Sequence, residues 1–154
     1  IVVYARPQAR GARMFITAAE LARTAVVSTE AIRIIADEQL QRHEARGRVE
    51  AEIDSVEAIR RLVLRGTSMA LMPVSTFHED LIAQRLVAWP IVDANIHRIL
   101  TLAQPAERRP SAAIDEVAQI VAAEVRTLGD GGVFSLPGAA SALPQKKSRN
   151  QEPA

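Results

Sequence analysis

Cysteine is absent from all 154 residues, so neither a disulfide nor a thiolate metal site can form in this chain. No apolar run approaches the roughly 18–20 residues a membrane helix needs. Lysine occurs only at Lys146 and Lys147, close to the carboxyl end, and the formal net charge is +1. That balance argues against a nucleic-acid binder working through a bulk basic surface. The remaining positive residues are arginines interspersed with Asp and Glu, the pattern of a solvated, mixed-charge surface. No serine sits in a Gly-x-Ser-x-Gly elbow, and there is no Gly-rich phosphate loop. His43, His78 and His97 fall on unrelated elements, with no helical pair and no carboxylate at metal-ligand spacing. No catalytic residue, metal or cofactor is therefore expected.

Apolar residues make up 48% of the chain, enough for a real core in one ordinary domain. The densest information lies in residues 49–73. Val49, Ala51 and Ile53 alternate with Glu50 and Glu52, as in a strand with one buried face. Glu50 and Glu52 share a side, but solvated alternation accounts for them without chemistry. Asp54 followed by Glu57 reads as a capping box that opens a helix. Val56, Ile59, Leu62 and Val63 recur at helical spacing, and Gly66 ends the helix where a left-handed backbone is required. Met69–Met72 is a short apolar run closed by Pro73, as in a buried parallel strand. The segment is a βαβ unit.

The rest of the chain extends the alternation. Residues 1–4 form a short strand, and residues 5–16 a loop containing Pro7 and Gly11. Thr17 with Glu20 is a capping box on a single helical turn. Residues 25–27 form a buried strand, and Ile32, Ile35, Ala36 and Leu40 stripe a helix predicted to end near Gly47. Thr76 with Glu79 is predicted to cap another helix, and Leu86–Trp89 forms a strand ended by Pro90. Residues 91–97 connect to a strand at 98–103. Pro105 and Pro110 bracket a linker, and Ser111 caps a helix running to about Leu128. Its stripe of Ile114, Val117, Val121, Val125 and Leu128 suits packing on a sheet. Beyond Gly129, three prolines, small residues and a polar end have the composition of a disordered tail. Gly129-Asp130-Gly131-Gly132 reads as a linker, and Lys146, Lys147 and Arg149 offer only weak, salt-sensitive attraction to nucleic acid.

The strand ending in an acidic residue, then helix, Gly, strand and Pro, resembles the effector-binding domain of LysR-type transcriptional regulators. Glu20-Leu21-Ala22, the following apolar strand and Ser28-Thr29 are similar to another segment of that family. So are residues 74–87, the strand at Arg98–Leu102 and the helix from Ser111, and the similarity spans about residues 1–128. One departure is Ser68, which stands where the family usually has a second Gly.

The resemblance implies a periplasmic-binding-protein-like α/β fold of two lobes joined by crossovers. Residues 1–20 would end the first-lobe strand and crossover loop, and 21–92 would be a complete second lobe. Residues 93–128 would be the return crossover and closing helix of a partial first lobe, with 129–154 as the tail. The chain opens on Ile rather than Met, so it reads as an N-terminally truncated fragment from which a leader could also have been lost. The family further implies a bacterial, cytoplasmic homo-oligomer that binds a small-molecule effector without membrane attachment. DNA would be reached only through an N-terminal winged helix-turn-helix domain absent from this chain. A solute-binding protein of the same architecture is the alternative.

In parallel α/β sheets, ligands sit beyond the carboxyl ends of strands, at helix N-termini. Ser28 and Thr29 end one strand just before a helix, and their hydroxyls suit a carboxylate. Asp54 and Ser55 occupy the corresponding place after the next strand, where a carboxylate favours an amine or hydroxyl. All four also suit plain helix capping, which is compatible with ligand contact. These are the candidate effector-binding residues.

Overall fold

A computed structural model describes residues 1–9, 14–94, 96–103 and 112–136. Five strands form one mixed sheet: β1 (Val2–Ala5), β2 (Val26–Ser28), β3 (Val49–Glu52), β4 (Met69–Met72) and β5 (Val87–Pro90), in the order β3-β2-β4-β1-β5. β2 runs parallel to both β3 and β4, while β1 runs antiparallel to β4 and β5. The expected division between residues 1–20 and 21–92 does not fit this sheet. β1 is bonded on both sides, Val3 opposite Leu71 and Trp89, and all four of its residues are buried. Four successive apolar residues can bury both faces of a central strand, and the pairing with β4 and β5 places β1 inside this sheet.

Helices cover both faces. α2 (Glu30–Leu40) puts Ala36 and Leu40 into a cluster with Val3, Leu21, Val26, Leu71 and Trp89. α3 (Val56–Arg65) puts Ile59 and Val63 into the opposite cluster with Tyr4, Val27, Ala70, Phe77 and Leu86. Residues that alternate along β1, β2 and β4 thus serve different layers. The buried face predicted for residues 49–53 is only partly realised. β3 is an edge strand, with Val49 half-buried and Ala51 exposed.

Several local signals are resolved in detail. Thr17 and Glu20 form the capping box of α1 (Ala18–Leu21). Gly66 ends α3 at φ 74°, accepting the left-handed backbone that a Cβ would oppose. The other two expected boxes are not formed. Ser55 caps α3 by accepting from Ala58 N–H, so the helix starts one residue later than Asp54 would place it. α4 (His78–Ile82) has Phe77 at its N-cap and no side-chain cap. α2 ends at Leu40, well before Gly47. A 3₁₀ turn over Gln41–His43 follows, and Glu44 takes φ 53°.

The carboxyl-terminal part departs most. Residues 98–103 form no strand, and Ile99, Leu100 and Leu102 are exposed. α5 (Ala112–Asp130) is helical past Gly129, but its apolar stripe packs on no sheet. Ile114, Val117, Val121, Val125 and Leu128 are all exposed. A strand needs a neighbour for its backbone groups and a stripe needs a sheet face, and the described residues offer neither at this place. Ser111, the tail beyond residue 136 and its lysines lie outside the described residues.

One buried charge is fully partnered. The Asp80 carboxylate, 3% exposed, takes two hydrogen bonds from Arg60, at 2.7 and 2.9 Å, and one from Arg85 at 2.6 Å. It ties α3 to α4 across the apolar layer. Hydrogen bonding from Arg60, helped by Arg85, outweighs burial and holds its pKa below the usual carboxylate value.

Two predictions follow from these contacts. Gly66→Ala should lower stability by about 1–2 kcal/mol, because an L-residue is strained in the left-handed region. The new Cβ would also lie 2.8 Å from Arg6 Cδ. Urea unfolding measures the loss, and an unchanged midpoint refutes the backbone assignment. Asp80→Asn should cost about 1.5–3 kcal/mol near neutral pH, the range for hydrogen bonds to charged groups. Because folding depresses this pKa, the stabilisation is complete above the unfolded value of about 4 and fades as pH falls through the lower folded value. The gap between native and variant proteins should therefore close in acid. A gap independent of pH would show that charge is not what Asp80 contributes.

Candidate functional site

The carboxyl ends of β2, β3, β4 and β5 share one end of the sheet. Ser28 stands opposite Glu52, and Ile53 N–H donates to Ser28 O at 2.9 Å. Thr29 and the Asp54–Ser55 turn therefore follow neighbouring strand ends. The pairing of β2 with β4 brings in a third segment, Pro73–Phe77, which sequence reasoning left out of the site. The connection from β2 leads outward to β3, while that from β4 leads the other way, past β1, to β5. This reversal is the topological switch point at which open α/β sheets form a ligand crevice. It lies between β2 and β4, so Ser28–Thr29 and Pro73–Phe77 flank it, and Asp54–Ser55 lie one strand further out. Strand order was the missing signal, and it is invisible in the chain's local patterns.

The four predicted residues play different parts. Ser28 is fully buried, and its Oγ donates to Leu71 O at 2.8 Å. Its hydroxyl is spent inside the sheet, tying β2 to β4 at the switch point. Thr29 is half-buried and is the N-cap of α2, its Oγ1 accepting from Ile32 N–H at 3.4 Å. It stands where the first N–H groups of α2 lack helical partners and carry partial positive charge. Asp54 is exposed and does not cap, whereas Ser55 does, with Oγ 3.3 Å from Ala58 N. The structure thus places Thr29 and the α2 N-terminus at the switch point and engages the Ser28 hydroxyl within the sheet.

The Pro73–Phe77 turn is held from below. Tyr4, fully buried on β1, donates its hydroxyl to the carbonyl of Val74. Its ring meets Phe77 edge-on, with centroids 4.9 Å apart. Thr76 N–H closes the turn on Pro73 O at 3.0 Å. Burial is the largest reason the Tyr4 hydroxyl is pushed well above its ordinary pKa, so it acts as a neutral donor. This side of the crevice is therefore built on a rigid strand, a suitable base for selective contacts.

Glu52 is ion-paired with Arg33 at 2.6 Å and Glu50 with Arg48 at 3.3 Å, in keeping with a solvated strand face. Among the described residues no cluster of His, Cys, Asp or Glu could hold a metal ion, and no helix is long and apolar enough to cross a membrane.

A mixed sheet covered on both faces, with helix N-termini at a switch point, defines an α/β ligand-binding module. The family model for the LysR substrate binding domain matches residues 1–126, and the chain belongs to that family. Such domains have a periplasmic-binding-protein-like α/β fold and serve ligand-binding regulation, not catalysis. Among curated proteins, none matches this chain.

The capping assignment is directly testable. Ser55→Ala should cost about 1 kcal/mol of stability, as loss of an N-cap does. Asp54→Ala should stay within about 0.5 kcal/mol, as for an exposed residue outside such a motif. Thermal unfolding of the two variants decides it, and a larger loss for Asp54→Ala would restore the capping box.

Proposed function

We propose that this chain is the effector-sensing part of a LysR-type transcriptional regulator, controlling transcription through a winged helix-turn-helix domain encoded upstream of Ile1. The observation that carries this is the family match over residues 1–126, covering the strands that bound the β2/β4 crevice. Residues 1–92 are then one lobe. Residues 93–130 belong to the return crossover and closing helix of the other, and the tail follows the helix. The exposed stripe of α5 and the unpaired segment 98–103 support this division, since both are apolar and neither meets a sheet. The regulator works in the cytoplasm as a homo-oligomer. Its effector shifts the arrangement of that oligomer only as far as it binds the two states with different affinity.

Within the crevice, Thr29 and the free N–H groups of α2 hold an anionic group of the effector, and the Pro73–Phe77 turn faces it from the β4 side. Asp54 and Ser55 lie further out, where Asp54 suits an amine or hydroxyl. Ser28 acts through the sheet, fixing the spacing of the two crevice walls.

Extending the chain with its upstream coding sequence tests the regulator. The longer protein should bind DNA, unfold at a higher temperature than residues 1–154, and bind less of a dye specific for exposed apolar surface. A secretory signal in place of the helix-turn-helix would favour the solute-binding alternative. Undiminished dye binding would mean that the added lobe does not cover α5.

Thr29 is tested in the same full-length regulator. Thr29→Ala should weaken its effector response by roughly ten- to a hundred-fold, the equivalent of about 1.5–3 kcal/mol for a hydrogen bond to a charged group. DNA affinity without effector should be unchanged. Thermal unfolding without effector separates a lost cap, worth about 1 kcal/mol, from a lost contact. An unaltered response removes Thr29 from the site.

A further inference from the structure

We draw no further inference here: the strongest candidate, the exposed apolar stripe of α5 from Ile114 to Leu128, is already assigned to the first lobe of the proposed regulator, and nothing in the structure shows what else covers it.

Discussion

The fold depends on burying β4 from every side. Met69–Met72 is bonded to β2 in parallel and to β1 antiparallel, so both of its edges are occupied. Ala70 and Leu71 are completely buried, one towards the α3 layer and the other towards the α2 layer. A large aliphatic side chain buried this way contributes about 1.5–3 kcal/mol, and no other strand serves both layers from so central a place. Ala70 is small where its cross-strand partner Tyr4 is large. The Tyr4 ring meets Phe77 edge-on, and its hydroxyl reaches the carbonyl of Val74.

Polar groups inside this core are few, and those described above have work to do at its edges. The Ser28 hydroxyl joins two strands, the Tyr4 hydroxyl fixes a turn, and the Asp80 carboxylate joins two helices. Each is buried with its partner supplied, as the cost of desolvating an unbonded polar group requires. Two of the three bear on the crevice. Ser28 and Tyr4 hold β2 and the β4 turn in place, next to Thr29 and the α2 N-terminus of the proposed site.

The carboxyl-terminal part obeys local rules without tertiary ones. α5 forms because its sequence favours a helix, with Ala at positions such as 112, 113, 118, 122 and 123, and an exposed stripe does not stop it. Residues 98–103 do not form a strand, because a strand has no internal hydrogen bonds and exists only beside another. With no sheet beside either segment among the described residues, the helix persists and the strand does not form. Gln39 on α2 exchanges hydrogen bonds with the backbone of His97, at 2.8 and 2.9 Å, so the chain is anchored just before the irregular segment 98–103.

What the sequence determined by itself was local. Apolar runs and the period-two and period-3.6 patterns located all five described strands and the main helices, and the Thr17–Glu20 box and Gly66 marked two helix ends. These features rest on interactions within a few residues of each other, which spacing can report. Strand order, the place of β1 and the depth of Ser28 were decided by tertiary structure alone. The run Val2–Ala5 is equally apolar whether it borders one sheet or another, and only its pairing with β4 and β5 settles the choice. Ser28 before a helix reads as a cap or a ligand group until the parallel strand beside it supplies Leu71 O and claims the hydroxyl. Pairing between strands distant in sequence created the switch point, and it also decided that the Ser28 hydroxyl is held within the sheet.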